Sequence, residues 1–308
     1  MALWEHYHLP ETVEEALAIL AGYNGEARIV AGGTDLLLEM QQGRHGSEPR
    51  PPVAALVDVT RIGEMTAIAE QDGYISVGAA VTHSDIVRSG LLVRHATGLV
   101  EACGVIGGPQ VRNVATLGGN VAHALPAGDG TIALVALDAE AEVASQNSKS
   151  QISNSKVERE WRPILSLFRG PGNSAVDQTR ELIVRFRFRL AAAGEASAYR
   201  RIMRPQGVAL PILELGVWLR VEGSTVEEAR IALGPAGPQP LRARQAERYV
   251  TGIPLLEDVL PQIADLILAD ARLRSSKYRA SAEYRRELIE PLARRALTFA
   301  YHRATTGE

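Results

Sequence analysis

Two pairs of adjacent glycines constrain this chain more than any other feature of its 308 residues. The first pair, Gly32 and Gly33, follows an apolar run, and the second pair is Gly118 and Gly119. Adjacent glycines let backbone N–H groups approach a ligand that a Cβ atom would hold off, and successive N–H groups in such turns bind anions. Glycine pairs also form tight turns that bind nothing. The spacing alone therefore leaves a phosphate-sized ligand and a plain turn as alternatives.

The polar residues around both glycine pairs favour the ligand. Thr34 and Thr116 place a hydroxyl beside each turn. Asn120 and Asp129 add an amide and a carboxylate that can bond a ribose or the edge of a ring. The chain contains no Gly-x-Gly-x-x-Gly spacing, which marks the Rossmann dinucleotide site. The pattern therefore favours a phosphate-containing ligand without indicating a Rossmann site.

Length and charge narrow the class of protein. A chain of 308 residues is too long for one small core and predicts two domains, or one domain with two lobes. A formal charge of -3 gives no electrostatic reason to expect nucleic acid or a membrane surface as a partner. No apolar run approaches the roughly 18 residues of a membrane span, and the N-terminus lacks the pattern of a signal peptide. The expected location is the cytoplasm.

The one cysteine, Cys103, limits the redox chemistry of the chain. A single thiol can form neither an internal disulfide nor a four-thiolate iron–sulfur cluster, so any such cluster must belong to another chain. His6 and His8 have no third ligand nearby in sequence and predict no metal site. The serines and aspartates show no hydrolase motif. The sequence therefore indicates no catalytic side chain and no metal ligand.

The hydrophobic pattern of the N-terminal segment predicts alternating helices and strands. Thr12 is predicted to cap an amphipathic helix. A strand at 28–31, a short helix at 35–40 and a buried strand at 55–59 follow. This alternation is typical of α/β structure and places a lobe boundary near residue 58.

The middle of the chain combines a hairpin with helices. Asp72-Gly73 is a strong hairpin signal between two short strands. Asp129 is predicted to cap an apolar helix. Residues 145–156 repeat Asn-Ser-Lys and are too polar to bury much surface, so they predict an inserted loop to which no function is assigned. Helices are predicted at 84–87, 91–103 and 131–137, and a strand at 139–144.

In the C-terminal part the predicted strands follow one another and the predicted helices come after them. Gly and Pro residues at 170–180 indicate an interdomain linker, and a strand at 181–189 follows it. Three consecutive strands favour an antiparallel sheet. These strands are predicted at 196–202, 212–221 and 226–233. Helices are predicted at 242–250, 259–272 and 280–302, the last interrupted at Pro291.

The motifs resemble those of one known family, the flavin subunits of molybdenum hydroxylases such as xanthine dehydrogenase and carbon monoxide dehydrogenase. The two glycine-containing runs are similar to the family's two FAD segments, and the run Pro126-Ala127-Gly128-Asp129 continues the second. Further similarity at 168–172, 198–201 and 281–288 extends the resemblance over nearly the whole chain. The FAD-segment runs are Val30-Ala31-Gly32-Gly33-Thr34-Asp35-Leu36 and Gly108-Pro109-Gln110-Val111-Arg112-Asn113-Val114-Ala115-Thr116-Leu117-Gly118-Gly119-Asn120.

The resemblance implies an α+β fold in two domains. A two-lobed, vanillyl-alcohol-oxidase-like (PCMH-type) FAD-binding domain is expected at 1–175, with lobes at about 1–57 and 58–175. A domain similar to the C-terminal domain of the carbon monoxide dehydrogenase flavoprotein is expected at 176–308, with a three-stranded antiparallel sheet plus helices.

The resemblance also implies which residues bind FAD. Ile29 to Leu36 would line the diphosphate, Thr116 to Asn120 would continue that cradle, and Asp129 would bond the ribose or ribityl region. Ile106, Ile183 and Arg200 fall where the family places residues beside the flavin and the adenine. The matched positions are Ile29, Val30, Ala31, Gly32, Gly33, Thr34, Asp35, Leu36, Ile106, Thr116, Leu117, Gly118, Gly119, Asn120, Asp129, Ile183 and Arg200.

Arg200 and His123 each have an alternative interpretation, and Leu125 departs from the family pattern. Arg200 belongs to a basic cluster that can equally form a solvated strand face; if it reaches the flavin, its charge would stabilise the anionic reduced ring. His123 is more typical of a hydrogen-bonded structural histidine than of an acid or base. Leu125 stands where many family members have Ser, so one hydroxyl contact to the cofactor is expected to be missing.

The resemblance implies a role in electron transfer. Electrons would pass from [2Fe-2S] clusters of a small partner subunit to FAD and on to NAD, a quinone or another acceptor, while a large molybdopterin subunit oxidises the substrate. A dimer of heterotrimers is expected. Two alternatives stay open: a stand-alone flavin oxidase or dehydrogenase, and an assembly subunit that has lost FAD. The substrate, the final acceptor and the retention of FAD by the isolated chain do not follow from the sequence.

Overall fold

The computed structural model describes residues 2–42, 52–146, 157–205, 209–277 and 279–307. Two large antiparallel sheets, one small parallel sheet and one two-stranded antiparallel sheet are combined with helices that are mostly short, which confirms the α+β class. Residues 43–51 and 147–156 lie outside the described residues, and the second range holds most of the inserted loop expected at 145–156. Within the described ranges, no helix has the length and apolar content needed to cross a membrane.

The first lobe is built on a parallel sheet in the order β1-β3-β2. Its elements are β1 (Trp4–His8), α1 (Val13–Gly22), β2 (Ala27–Val30), α2 (Leu36–Gln42) and β3 (Val53–Asp58). The predicted cap of α1 is confirmed, because Thr12 Oγ1 accepts a hydrogen bond of 3.1 Å from Glu15 N. β2 ends at Val30, so the first glycine pair follows directly at the carboxyl end of this strand.

The second lobe contains a five-stranded antiparallel sheet in the order β4-β5-β10-β6-β7. Asp72 and Gly73 join the first two strands with φ angles of 53° and 77°, as a two-residue hairpin turn requires. The strands of this sheet are β4 (Ile68–Gln71), β5 (Tyr74–Gly78), β6 (Glu140–Gln146), β7 (Val157–Pro163) and β10 (Glu181–Arg189). The short strands β8 (Phe168–Gly170) and β9 (Asn173–Ser174) pair with each other outside it.

A layer of short helices lies between this sheet and the C-terminal sheet. Its members are α3 (His83–Arg88), α4 (Gly90–His95), α5 (Thr97–Gly104), α6 (Pro109–Arg112), α7 (Leu117–Ala122) and α8 (Asp129–Ala136). α7 packs on β10, whereas α5 and α8 pack on the strands of the C-terminal sheet. The sequence predicts a single helix at 91–103. The structure divides this segment at Ala96 into α4 and α5, so the prediction of one helix is wrong.

The C-terminal domain has an antiparallel sheet with helices α9 to α11 against one face. The three predicted strands are confirmed as β11 (Glu195–Ile202), β12 (Leu213–Glu222) and β13 (Thr225–Gly234). The two-residue strand β14 (Leu241–Arg242) adds to the edge of β13. The helices are α9 (Arg244–Val250), α10 (Leu260–Asp270) and α11 (Ala282–Thr306).

The interruption predicted at Pro291 is wrong. α11 continues through this proline to Thr306. A proline inside a helix removes one backbone hydrogen bond, but buried contacts can hold the helix together. Ile289 and Leu292 on either side of the proline are each 1% exposed, and they belong to the C-terminal core. Tertiary packing therefore overrides the local preference of proline.

The position of β10 changes where the two domains divide. This strand follows the linker expected at 170–180, yet it pairs with both β5 and β6 and forms the middle of the five-stranded sheet. The next strand, β11, belongs to the C-terminal sheet. We therefore propose that the domain boundary lies between residues 189 and 195 rather than at residue 175.

Candidate functional site

A cleft of about 470 Å³ lies where the two lobes and the C-terminal domain meet. Its volume is within the range of small-molecule and cofactor sites. The first lobe contributes the first glycine turn, the second lobe contributes the second, and the C-terminal domain contributes Arg201 and Leu210. Ile29, Val30, Ala31, Gly32, Gly33, Thr34, Asp35, Leu36, Ile106, Thr116, Gly119, Asn120 and Asp129 are the residues named from the sequence that line it.

The first glycine turn rests directly on the backbone of the second lobe. A Cβ atom at Gly32 would lie 2.0 Å from the carbonyl oxygen of Val114 and 2.7 Å from Cα of Ala115. Gly33 has a φ of +67°, a conformation that residues with side chains rarely adopt. The two glycines are therefore required for different reasons: one allows the lobes to touch, and the other forms the turn.

The backbone amides of residues 32–35 are available to a ligand. Within the described part of the chain, these four N–H groups donate to no acceptor, and the residues that carry them line the cleft. Backbone amides that point into a concave turn attract anions, and they can approach closely because two of the residues lack a Cβ atom. The first turn therefore has the properties of a phosphate-binding loop.

The second glycine turn differs from the first. Gly118 N donates to Ala79 O at 2.8 Å, Leu117 N donates to Val81 O, and Gly119 N donates to the Thr116 hydroxyl at 3.1 Å. The amides of residues 117–120 already donate within the protein, so other groups of this run would have to continue the cradle. The run instead caps α7 and turns Gly119 and Asn120 toward the cleft.

Asn120 takes the capping role that the sequence assigned to Asp129. The Asn120 Oδ1 atom accepts hydrogen bonds of 3.0 Å from Thr131 N and 3.1 Å from the Thr131 hydroxyl, at the start of α8. The residue at the N-cap position is Gly128, and Asp129 is the first residue of the helix. The predicted cap is therefore wrong, because a side chain from α7 supplies the acceptor.

Asp129 bonds instead to the C-terminal domain. Its Oδ1 atom accepts from Arg201 Nη1 at 2.8 Å and lies 2.7 Å from the Tyr199 hydroxyl oxygen. Burial raises the pKa of the Asp129 carboxyl, while the charge of Arg201 and the hydrogen bonds from Tyr199 and Arg201 act in the opposite direction. Since the Arg201 side chain is only 10% exposed, the pair is a buried ion pair at the wall of the cleft.

Arg200 does not line the cleft. Its guanidinium bonds to Glu101 Oε1 at 2.8 Å and stacks at 4.0 Å on the ring of Phe299. The next residue, Arg201, does line the cleft. Successive side chains of a strand point to opposite faces, so a shift of one residue exchanges the surface role and the cleft role. We therefore propose Arg201, rather than Arg200, as the arginine that faces a ligand in the cleft.

Three other predicted residues lie outside the main cleft. Leu117 is fully buried in the core. Gly118 and Ile183 line an adjoining cavity of about 100 Å³, which shares the wall residues Ile29 and Gly119 with the main cleft. Leu125 does line the main cleft, so the position at which the sequence lacks a hydroxyl is part of the site.

About half of the cleft wall consists of residues outside the set of cofactor-binding positions named from the sequence. His123 lies in the wall with Nδ1 3.9 Å from Glu39 Oε1, and no cluster of His, Cys, Asp or Glu among the described residues could hold a metal ion. His8, one of the two N-terminal histidines, has Nε2 2.8 Å from the Tyr23 hydroxyl. The further wall residues are Arg28, Glu39, His83, Gly107, Val111, Ala115, Ala122, His123, Leu125, Ala127, Gly128, Gly172, Gln178, Arg201, Ala209 and Leu210.

His83 is the wall residue with the clearest unmet bonding capacity. It is 1% exposed, and its buried Nδ1 atom has no hydrogen-bond partner in the described structure. Burial and, to a smaller extent, the charge of Arg112 together lower the pKa of His83 to about 4. The imidazole is therefore neutral at physiological pH. The sequence contains only the helix cap Thr82 before it, which gives no hint of its burial.

His83 should impose a pH dependence on stability. The unfolded chain gains a proton at this residue near pH 6.5 and the folded chain only near pH 4, so its contribution to stability is present above pH 6.5 and is lost as the pH falls toward 4. From pH 7 to pH 5 the free energy of unfolding should drop by about 2 kcal/mol through this group. In urea unfolding, the free energy of unfolding of His83→Gln should fall less between pH 7 and pH 5, because the contribution of His83 is absent. The exposed His302→Gln is the control, and equal pH slopes for all three proteins would refute the assignment.

Comparisons with known proteins agree with the geometry. The family model described as the FAD binding domain in molybdopterin dehydrogenase matches residues 3–188, and that of the CO dehydrogenase flavoprotein C-terminal domain matches residues 197–300. The chain is 29% identical to a xanthine dehydrogenase FAD-binding subunit of Escherichia coli O157:H7, with 96% of this chain and 95% of the relative covered. It is 28% identical to the carbon monoxide dehydrogenase medium chain of Hydrogenophaga pseudoflava, with 96% and 97% covered.

A solved structure gives the same result for the fold. A chain of the carbon monoxide dehydrogenase from Hydrogenophaga pseudoflava superposes on the present chain with a TM-score of 0.84, and 97% of both chains is covered at 28% sequence identity. A chain of a Cu,Mo-CO dehydrogenase superposes with a TM-score of 0.86 at 25% identity, with 98% of this chain and 99% of the other covered. The two-lobed FAD-binding fold expected from the motifs is therefore confirmed.

Proposed function

The chain belongs to the family of FAD-binding domains of molybdopterin dehydrogenases, and from this premise we propose that it is the electron-transferring flavin subunit of a multi-subunit molybdenum hydroxylase. The observation that carries the proposal is the cleft at the first glycine turn. Four residues whose backbone amides have no acceptor in the described chain line a space of about 470 Å³, which suits a dinucleotide with a diphosphate.

The residues of the cleft would divide the work of holding FAD. The amides of residues 32–35 would bind the diphosphate, and Asn120 and Asp129 would face the ribose or the ribityl chain. Arg201 would replace Arg200 as the cation of the site. Ile183 and Gly118 border the adjoining cavity of about 100 Å³, which would give a ring system an apolar wall.

The chain's own side chains need no acid or base role in this function. FAD, when bound, supplies the capacity to accept and release electrons. The protein contributes position and electrostatics: the guanidinium of Arg201 carries a fixed positive charge that would favour negative charge in its surroundings. Cys103 is fully buried, and burial together with Asp129 raises the pKa of its thiol, so it is not available as a nucleophile.

The remaining parts of the electron path would lie in partner subunits. One cysteine cannot hold an iron–sulfur cluster, so a small [2Fe-2S] subunit would deliver the electrons and a large molybdopterin subunit would oxidise the substrate. The acceptor would be NAD, a quinone or another acceptor, the assembly a dimer of heterotrimers, and the location the cytoplasm. The relatives named as a FAD-binding subunit and a medium chain support this arrangement.

Gly119→Val tests the cofactor site. A Cβ atom at Gly119 would meet only the Thr116 hydroxyl, at 3.1 Å, so the protein itself can accommodate a larger residue with little rearrangement. The valine would instead narrow the space where the main cleft and its adjoining cavity meet. We expect purified Gly119→Val to contain no FAD while its circular dichroism matches that of the wild type. If Gly119→Val keeps the wild-type ratio of FAD to protein, Gly119 does not border the bound FAD.

The subunit role is tested by purification of the native assembly. We expect the chain to co-purify with a [2Fe-2S] protein and a molybdopterin protein, and the flavin absorbance to bleach anaerobically only when the substrate is added to the whole assembly. Substrate oxidation by the isolated flavin-loaded chain would favour the stand-alone oxidase or dehydrogenase instead. A chain that stays colourless with excess FAD would favour the assembly subunit that has lost FAD.

A further inference from the structure

A buried chain of hydrogen bonds leads from the wall of the cleft into the C-terminal sheet. The Tyr199 hydroxyl oxygen lies 2.7 Å from Asp129 Oδ1 and 2.5 Å from Glu214 Oε2. Tyr199 and Glu214 are 2% and 0% exposed, and Asp129 is 3% exposed. These hydrogen bonds therefore connect Glu214 on β12 through Tyr199 on β11 to Asp129 on α8, and Arg201 joins Asp129 to the cleft.

The number of protons shared by Glu214, Tyr199 and Asp129 follows from the distances between their oxygen atoms. A tyrosine hydroxyl has one hydrogen and can donate it to only one of two carboxylates. Two oxygens at 2.5 to 2.7 Å are at hydrogen-bond distance, which requires a proton between each pair. Two ionised carboxylates around one hydroxyl would leave one contact as a repulsion between lone pairs. One of the two carboxyl groups must therefore be protonated.

The surroundings indicate which carboxyl group carries the proton. Asp129 forms a buried ion pair with Arg201, which favours its ionised form. Glu214 forms no ion pair within the described residues, and its Oε1 atom is buried without a hydrogen-bond partner. Complete burial and the nearby Asp129 raise the pKa of Glu214 well above its usual range, although Arg201 and Arg279 oppose this effect. The proton therefore belongs on Glu214, because an unpaired buried charge costs far more than a neutral acid.

We propose that Glu214 is a neutral carboxylic acid that positions the cation of the cleft. It donates to Tyr199, Tyr199 donates to Asp129, and Asp129 holds the Arg201 guanidinium in the wall of the cleft. The inference rests on the proposed FAD site, since Arg201 acts there only if the ligand lies in this cleft. Glu214 itself does not line the cleft. It is a positioning residue that acts through two others and does not touch the ligand.

The role depends on donation, so two substitutions of Glu214 should differ. Glu214→Gln keeps a donor of the same shape, because the amide N–H can replace the carboxylic O–H toward Tyr199. Glu214→Leu removes the donor and leaves Tyr199 free to turn away from Asp129. We expect FAD titrations of the full-length chain to give a dissociation constant within about twofold of wild type for Glu214→Gln. For Glu214→Leu we expect a dissociation constant about tenfold higher, because a hydrogen bond that supports a charged group is lost.

Infrared spectroscopy tests the proton directly and requires no FAD. We expect wild-type protein to show the carbonyl stretch of a protonated, buried carboxylic acid at neutral pH, and Glu214→Gln to lose it. Glu222→Gln, on an exposed part of the same strand, should keep it. A band that persists in Glu214→Gln and disappears in Asp129→Asn would overturn the assignment.

The two measurements separate this inference from the proposed function. Stoichiometric FAD binding without a carboxylic acid band at Glu214 would overturn the inference and leave the FAD site intact. A band at Glu214 in a chain that never binds FAD would refute the cofactor site and, with it, the positioning role. If Glu214→Leu fails to fold, the infrared comparison of wild type with Glu214→Gln still decides the protonation.

Discussion

Gly32→Ala is expected to abolish FAD binding and to destabilise the protein. The added Cβ atom would lie 2.0 Å from the carbonyl oxygen of Val114 and 2.6 Å from its carbonyl carbon. The obstacle is backbone, so no side chain can rotate away, and the first lobe must move from the second. The movement would displace the amides of residues 32–35 from the cleft. Overpacking of this kind lowers the free energy of unfolding by about 3 kcal/mol.

The measurement is the ratio of flavin to protein after purification, together with urea unfolding. Gly22→Ala is the matched control, because no atom of the protein lies within 4 Å of the new Cβ atom and Gly22 belongs to α1, outside the cleft. We expect the control to retain FAD and stability. Gly32→Ala with a full complement of FAD would show that the contact between the lobes does not shape the site.

Asp129→Ala is expected to have the second largest effect. The substitution leaves the Arg201 guanidinium, 10% exposed, without its carboxylate, and it also removes one partner of the Tyr199 hydroxyl. A buried cation that loses its partner destabilises a protein by about 3–5 kcal/mol. The cation is also free to leave the wall of the cleft, so FAD should bind more weakly. Both effects have one cause, the loss of the anion that fixes Arg201.

An exposed ion pair gives the control for this prediction. Asp85 bonds to Arg88 at 2.8 Å, but the two side chains are 52% and 70% exposed, so Asp85→Ala should cost about 1 kcal/mol or less. Chemical unfolding and FAD titration of both variants give the comparison. Equal stabilities for Asp129→Ala and Asp85→Ala would show that the buried pair contributes nothing beyond a surface pair.

The elements that obey local rules could be predicted from the sequence. Thr12 is followed by a capping pattern, Asp72-Gly73 fits a two-residue hairpin, and 181–189 matches β10 residue for residue. Each depends on residues that are neighbours in sequence. The edge strand β7 was missed because its sequence, Val-Glu-Arg-Glu-Trp-Arg-Pro, has hardly any apolar residues. Its stability comes from partners far along the chain, such as the bond between Arg159 and Glu64.

The site could be predicted only in part, for a related reason. Every residue from Ile29 to Leu36, the positions that the motif resemblance named for the first glycine turn, lines the cleft. The resemblance named Arg200, whereas Arg201 lines the cleft, because the direction of a strand side chain depends on the register with β12. The local sequence pattern also assigned Asp129 to the nearest helix as a cap, whereas its partners are 70 and 72 residues away. Contacts between distant segments carry the information that the local pattern lacks.

The most direct test of the central claim, that FAD lies against the first glycine turn, is amide hydrogen exchange of the full-length chain with and without saturating FAD. The amides of residues 32–35 have no acceptor in the described chain, so bound FAD should slow exchange strongly in peptides that cover residues 31–36. Peptides from the β4–β5 hairpin, outside the cleft, should not change. Unchanged exchange at residues 31–36 in a chain that holds stoichiometric FAD would contradict the account.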